Sequence, residues 1–137
     1  MEAVLLALAL LALRLGLGVE LVVHGWPKMK NPGGMTGWLG QMGMKPAVFW
    51  SWIAALTEFF GGLALILGLL TRPAALFVTV QFLVIILYVK LGKLKAPFTT
   101  PQAAGWEWDW LILFMGLSLL LAGPGAYSLD RVLGLPF

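Results

Sequence analysis

Apolar residues in this chain are concentrated in four long stretches, and most of the charged residues lie in the short segments between them. The stretches cover residues 3–23, 46–70, 73–91 and 106–122. A helix needs roughly 20 apolar residues to cross a bilayer core of about 30 Å. The pattern therefore predicts an all-α membrane protein, a four-transmembrane-helix antiparallel bundle in which residues 1–137 form one membrane domain.

The first connecting segment, residues 24–45, has an apolar stripe of its own. Its large apolar residues repeat at the i, i+3, i+4 and i+7 spacing of one helix face, and they are Met35, Trp38, Leu39 and Met42. The glycines among them weaken a free-standing helix. We therefore expect either a short interfacial helix that lies flat in the headgroup region, or a loop with an apolar patch.

Capping and turn residues predict the structure of two further connections, one between the second and third stretches and one after the fourth. Only two residues separate the second and third stretches, which predicts a tight antiparallel hairpin. Thr71 suits the N-cap of the third helix, and Pro73 suits its first turn. The Gly-Pro-Gly segment at 123–125 is typical of a helix end followed by a sharp turn. Ser128 or Asp130 can then cap a short terminal helix.

The composition agrees with a membrane protein. Hydrophobic residues make up 61% of the chain and charged residues 11%, with a mean hydropathy of +0.94. Soluble domains contain about 25% charged residues, so this chain cannot cover itself with a polar surface and is expected in the cell membrane. No basic run is interleaved with aromatic residues in the manner of an RNA-binding surface, so no nucleic-acid partner is predicted.

The distribution of basic residues predicts an orientation. With four spans, the first and third connecting segments lie on one side of the membrane and both termini on the other. The first side and its helix ends carry Lys28, Lys30, Lys45, Lys90, Lys93 and Lys95, against Arg72 and Arg131 on the other. Basic residues are enriched in cytoplasmic loops. The lysine-rich loops are therefore expected in the cytoplasm and the termini outside.

The scarcity of metal-binding and redox side chains excludes several kinds of site. The chain contains no cysteine and one histidine, His24. Disulfides, iron–sulfur clusters and thiolate zinc sites are therefore excluded, and one chain cannot supply two histidine ligands to a haem. No metal site is predicted.

Two charged residues lie deep inside the predicted spans. At 1.5 Å per residue, Arg14 in the first helix and Glu58 in the second come near the bilayer midplane, and Gln81 lies midway along the third. An isolated charge at that depth costs at least about 2.5 kcal/mol. We therefore predict a buried Arg14–Glu58 ion pair with Gln81 as a hydrogen-bond partner. The pair is either structural or part of a proton or ligand site.

A second polar cluster is predicted at the lysine-rich end of the bundle. Two of its members are four residues apart and share a helix face, and two acids begin the fourth helix at the same end. Carboxylates and an imidazole beside indole rings can bind a quinone ring and exchange protons with it. This hypothetical quinone and proton site consists of Glu20, His24, Trp26, Lys28, Glu107 and Asp109.

The two acids that begin the fourth helix also have a structural explanation. The tryptophans around them form an interfacial belt, and the helix dipole favours negative charge in the first turn. A spacing of two residues separates Glu107 and Asp109 by about 160° around a helix, so they cannot face the same way. We expect Glu107 to turn inward toward Glu20 and His24, and Asp109 to face the headgroups.

Several short segments resemble a known family. They are "HGWPKMKNPGG" after the first stretch, "TEFFGGLALILGLLTRPAAL" across the second, and "GPGAYSLDRVLG" after the fourth. Together they resemble the DoxX family of small four-helix membrane proteins along essentially the whole chain. The resemblance matches the family's acid in the second span to Glu58 and its arginine at the following turn to Arg72. It implies no catalytic residue.

The family takes its name from a subunit of a membrane thiosulfate:quinone oxidoreductase, and other members look like membrane partners in redox or detoxification complexes. The resemblance therefore implies the fold and leaves three functions open. These are a subunit of a quinone-linked redox complex, a non-enzymatic scaffold or anchor for a soluble redox enzyme, and a small transporter. Quinone is the only cofactor considered, and none is expected to be covalently bound. The expected partners are the lipid bilayer, a protein of a redox complex and a second copy of the chain.

Overall fold

The computed structural model describes residues 1–102 and 105–137, and all regular secondary structure within these ranges is helical. Helix α4 continues directly into a π-helical segment, Ile85–Lys93, so that one helix runs from Thr71 to Lys93. The helices in chain order are α1 (Glu2–Lys30), α2 (Pro32–Gln41), α3 (Ala47–Leu67), α4 (Thr71–Val84), α5 (Glu107–Ala122) and α6 (Leu129–Val132).

Three helices in the described ranges are long and apolar enough to cross a membrane. They are Glu2–Lys30, Ala47–Leu67 and Thr71–Lys93, and they contain most of the first three predicted stretches. The fourth stretch forms α5, which has 16 residues and is therefore about 24 Å long at 1.5 Å per residue. That length falls short of a bilayer core of about 30 Å. The all-helical class is confirmed, and three spans have the required length.

The first helix is longer than the sequence predicts. The segment expected to begin a loop at His24 continues as helix to Lys30, with Pro27 inside it. Tertiary packing explains the difference, because a Cβ on Gly25 would lie 2.5 Å from the backbone nitrogen of Phe59. That contact holds the last turns of α1 against α3. The helix expected in the following segment is present as α2.

Helices α1 and α3 also approach each other closely through two glycines. A Cβ on Gly18 would lie 2.7 Å from the carbonyl oxygen of Gly62, and a Cβ on Gly62 would lie 2.7 Å from that of Gly18. Small residues allow membrane helices to approach this closely. On the other side of the bundle, α5 packs against α4. The buried apolar core between the helices includes Leu17, Leu21, Leu65, Ala75, Val78 and Leu119.

The hairpin between α3 and α4 is closed by a residue far away in the chain. Gly68 ends α3 in the left-handed conformation, and Leu70 is left-handed as well. The Asp130 carboxylate accepts hydrogen bonds from the backbone N–H of Leu70 at 2.7 Å and of Thr71 at 2.9 Å. A carboxylate at a helix N-terminus satisfies unpaired N–H groups and interacts favourably with the helix dipole. Asp130 therefore provides the cap of α4.

This arrangement corrects one predicted cap and confirms another. Thr71 is the first residue of α4, and its side chain makes no capping hydrogen bond. The predicted N-cap was wrong because a carboxylate from the C-terminal segment occupies that role. The Ser128 hydroxyl accepts a hydrogen bond from the Arg131 N–H at 3.2 Å, as predicted for the cap of the terminal helix.

The predicted Arg14–Glu58 ion pair is wrong. Arg14 donates to the carbonyl oxygen of Tyr127 in the C-terminal segment, while Glu58 binds Lys28 and Gln81. The prediction estimated the depth of each charge from the start of its own helix. In the structure, Gly25 of α1 contacts the backbone of Glu58 and Phe59, so Glu58 lies level with Gly25 and not with Arg14. Arg14 lies eleven residues from Gly25, which is about 16 Å along the helix. The Gln81–Glu58 hydrogen bond, at 2.7 Å, is confirmed.

We predict that Asp130→Ala destabilises the protein by about 3 kcal/mol, because two backbone N–H groups, one buried and one partly buried, lose a charged acceptor. The unfolding midpoint in detergent, followed by tryptophan fluorescence, should fall by roughly 10 °C. Arg131→Ala is the matched control, since its neighbouring side chain is exposed. Equal midpoints for the two variants would show that the carboxylate does not close the hairpin.

A second prediction concerns the paired glycines of α3. Gly62→Ala should destabilise the bundle by about 1–3 kcal/mol, because the added methyl group meets backbone atoms of α1. Gly61→Ala is its control, since a Cβ there would lie 3.7 Å from Val78, an ordinary contact. Thermal unfolding of both variants in one detergent tests the α1–α3 contact, and a larger loss for Gly61→Ala would contradict it.

Candidate functional site

A cavity of about 580 Å³ lies between α1, α2, α3, α4 and α5 at the lysine-rich end of the bundle. Its volume falls within the range of roughly 300–1,000 Å³ that is usual for small-molecule sites. Its lining combines apolar walls with six titratable side chains, which are Glu20, His24, Lys28, Glu58, Lys90 and Asp109. We call it the polar cavity.

The most buried charged group of the polar cavity is Glu58, whose side chain is 1% exposed. Lys28 Nζ lies 2.6 Å from Oε1 and 2.5 Å from Oε2 of this carboxylate. Gln81 Nε2 donates to Oε1 at 2.7 Å. Removing charges from water is unfavourable unless they are paired and hydrogen-bonded. The three side chains satisfy that condition and connect α1, α3 and α4 at one point.

A second polar pair joins α5 to the π-helical segment that continues α4. Lys90 Nζ is 3.8 Å from Asp109 Oδ2, and both side chains are mostly buried. The same ammonium group donates to the carbonyl oxygen of Gly105 at 3.1 Å. Lys90 belongs to the π-helical segment, and such segments change the direction in which the following side chains point. The polar cavity therefore has lysine–carboxylate pairs at two places in its wall.

The most accessible titratable side chains of the polar cavity form a histidine–carboxylate pair. His24 Nε2 lies 2.8 Å from Glu20 Oε1 on the next turn of α1. Both side chains are accessible, with exposed fractions of 62% for His24 and 46% for Glu20. An imidazole in contact with a carboxylate can accept and donate protons, so this pair can pass protons between the polar cavity and its surroundings.

Apolar and aromatic side chains complete the walls. Met35 and Trp38 of α2 cover one side, and Phe82, Ile85 and Trp108 contribute others. A hydrogen bond of 2.8 Å between the hydroxyl groups of Thr36 and Ser51 holds α2 against α3. The short second helix therefore forms part of the cavity wall. Whether it also lies in the headgroup plane remains a prediction.

The structure brings together four of the six residues predicted for the site. Glu20, His24, Lys28 and Asp109 line the polar cavity. Trp26 does not, because it lies on the outer side of α1, where its ring packs 5.4 Å from that of Phe59. The Trp26 ring also supports the ammonium group of Lys30 at 5.2 Å.

The inward acid of α5 is Asp109 and not Glu107. As expected from their spacing, Glu107 and Asp109 face different ways, and only Asp109 lines the polar cavity. The predicted direction was wrong because α5 packs mainly on α4. That orientation turns Asp109 toward Lys90 and leaves Glu107 outside the cavity.

Three lining residues were missed or assigned to another role. Glu58 was recognised as an intramembrane acid, but its partner was wrong because the register of α1 and α3 was unknown. From the sequence, Lys90 counts only among the basic residues of the lysine-rich side, and the π-helical segment that carries this residue is not predicted. Trp38 belongs to the apolar stripe predicted for residues 24–45, and only the folding of α2 onto the bundle brings it to the polar cavity.

The arrangement can hold a small molecule with polar atoms and exchange protons with it. An ammonium group carries three N–H donors, and two of the Lys28 contacts go to Glu58. A ligand oxygen in the polar cavity can accept from the same ammonium. The apolar walls exclude water, which strengthens such a charge-assisted hydrogen bond.

Comparison with known proteins adds the evolutionary context. The chain is 31% identical over 120 residues to "Putative oxidoreductase CatD" of Bacillus subtilis (strain 168), across 88% of this chain and 83% of the relative. It is 34% identical over 131 residues to "Inner membrane protein YqjF" of Escherichia coli (strain K12), across 90% of each. No solved structure matches the chain. The DoxX family model matches residues 9–91, and with these relatives it shows that the chain belongs to the DoxX family.

Proposed function

We propose that this DoxX-family protein is the membrane subunit of a quinone-linked redox complex, and that the polar cavity binds the quinone headgroup. The observation that carries the proposal is the buried Lys28–Glu58–Gln81 group within a cavity that has otherwise largely apolar walls. The name of the Bacillus subtilis relative, which describes an oxidoreductase, supports a redox role.

A quinone headgroup suits the polar cavity in size and in polarity. It is a flat ring whose carbonyl oxygens accept hydrogen bonds, and the ammonium groups of Lys28 and Lys90 lie at separate places in the wall. Phe82 and Trp108 offer aromatic surfaces against which the ring can pack. Apolar pockets with a few placed polar groups are typical of small-molecule sites.

The titratable pairs supply the protons that quinone reduction consumes. Reduction of a quinone to a quinol takes up two electrons and two protons. In this proposal the electrons come from a redox enzyme bound to the membrane subunit. The protons pass from the accessible Glu20–His24 pair, whose 2.8 Å contact allows transfer, to the ring oxygens.

The proposal includes a topology of four spans with the polar cavity near the cytoplasmic face. Helix α5 completes the bundle as the fourth span, since tryptophans begin it and Gly123 ends it. A slight local thinning of the bilayer accommodates a short hydrophobic segment at modest cost. The excess of lysines at the cavity end supports a cytoplasmic location for that end and an outside location for both termini.

A non-enzymatic scaffold is the alternative, and ligand binding distinguishes the two. A scaffold needs the helices and the lysine-rich end but no ligand in the polar cavity. Decylubiquinone, a quinone with a short tail, is a suitable probe because Trp38 and Trp108 line the cavity. Quenching of their fluorescence in detergent reports binding directly.

We predict that Lys28→Met/Glu58→Gln weakens decylubiquinone binding about 10-fold to 100-fold, because a charge-assisted hydrogen bond contributes about 1.5–3 kcal/mol. The double change removes both charges together and leaves no unpaired buried ion. Lys30→Met/Glu107→Gln is the matched control, since it changes the same residue types outside the polar cavity. The control should bind decylubiquinone as the wild type does.

Two outcomes would count against the quinone site. If both double variants bind decylubiquinone with equal affinity, the binding site lies outside the polar cavity. Absence of quenching in the wild type, together with no quinone in lipid extracts of the purified protein, would favour the scaffold. Unfolding midpoints measured in parallel show whether each variant is folded.

A further inference from the structure

Helix α2 covers one side of the polar cavity, but little buried surface holds it there. Met35 and Trp38 of this helix line the cavity. Of the ten residues of α2, all of which lie in the described part of the chain, Leu39 alone is buried. The hydrogen bond between Thr36 and Ser51 adds a polar contact with α3. Elements with so little buried apolar surface open locally more readily than the rest of a protein.

The sequence of α2 lowers its stability further. Four of its ten residues are glycine, and they are Gly33, Gly34, Gly37 and Gly40. A glycine inside a helix is unfavourable relative to alanine, because it loses more conformational freedom when the helix forms. Among the described residues, a Cβ on Gly34 or Gly37 would meet no atom of another helix within 4 Å. These two glycines therefore weaken the helix without serving its packing.

Both ends of α2 are non-helical joints. Asn31 separates α2 from α1, with φ at −139° and ψ at 80°, and Gly43 follows α2 in the left-handed conformation, with φ at +80°. The Tyr88 hydroxyl donates to the Met42 carbonyl at 3.2 Å and holds the second joint in place. Residues at the ends of an element can absorb the change in backbone angles when a lid opens. Helix α2 can therefore leave the bundle while α1 and α3 stay in place.

We propose that α2 is a flap that opens by local unfolding and admits the ligand of the polar cavity. When α2 opens, Met35 and Trp38 leave the cavity wall, which widens the path to Lys28 and Glu58. When α2 refolds over the ligand, the same two side chains shield the buried polar groups from water. The flap rests on the proposed function in that the polar cavity has to be a binding site, but the opening itself needs no ligand.

Labelling of a buried thiol measures the opening without any ligand, because the chain contains no cysteine of its own. Leu39 is 6% exposed, so in Leu39→Cys a water-soluble maleimide reacts in detergent only when α2 opens. Adding Gly34→Ala/Gly37→Ala should slow this labelling about fivefold to thirtyfold, because each alanine favours the closed helix. Adding Gly16→Ala instead is the matched control on α1, where a Cβ would lie 3.9 Å from Met115. The control should leave the labelling rate unchanged.

Two labelling results would overturn the flap. One is an equal or faster labelling rate after the two alanines are added to Leu39→Cys. The other is labelling of Leu39→Cys that is no faster than unfolding of the whole protein, because the thiol would then become accessible only when the entire bundle opens. The rate of global unfolding is followed by tryptophan fluorescence under the same conditions.

The kinetics of decylubiquinone binding connect the flap to the polar cavity. Stopped-flow quenching should show that Gly34→Ala/Gly37→Ala slows association and dissociation by the same factor and leaves the affinity unchanged, because the alanines stabilise the closed helix with and without the ligand. Unchanged rates would show that α2 is a static wall and would overturn the proposal. If decylubiquinone does not bind, the labelling of Leu39→Cys still decides whether α2 opens, so the flap and the quinone site can fail separately.

Discussion

Charge that lies inside this bundle has to be compensated within the protein, and this requirement positions most of the helices. Glu58 is matched by Lys28 and Gln81, which joins α1, α3 and α4. Arg14, buried near the opposite end, donates to the Tyr127 carbonyl. Apolar helices in lipid can slide or rotate with little change in energy, whereas misplaced polar contacts leave ions without partners. The two clusters therefore fix the register of α1 near its middle and near its C-terminal end.

The same requirement explains why the polar cavity exists. A carboxylate in the middle of a membrane helix needs a cation. Lys28 supplies it from α1, about one helical turn closer to the lysine-rich end than Gly25, which lies level with Glu58. Its long side chain has to extend along the inside of the bundle to reach Glu58. Close packing of α1 on α5 at that level would exclude the lysine. The space left between them is lined by the groups that can interact with a ligand.

The helical class, the first three spans and the α3–α4 hairpin could be predicted from hydrophobic periodicity and turn residues. The partners of the buried charges could not, because depth was measured from helix ends and α1 runs seven residues beyond the predicted span. The direction of a side chain around its helix could be predicted only relative to other residues of the same helix. The spacing of Glu107 and Asp109 showed that one must turn away from the other. Only the packing of α5 on α4 decided which.

The hairpin clamp made by Asp130 has a consequence for biogenesis. Its carboxylate lies 60 residues after Leu70 in the chain, so the hairpin leaves the ribosome well before its cap is made. At a synthesis rate of about 5–20 residues per second, that delay is roughly 3–12 s. During this interval the N–H groups at the start of α4 depend on water or lipid headgroups. Final closure of the α3–α4 turn is therefore a late, post-insertion event, and until then a membrane chaperone could still bind the open turn.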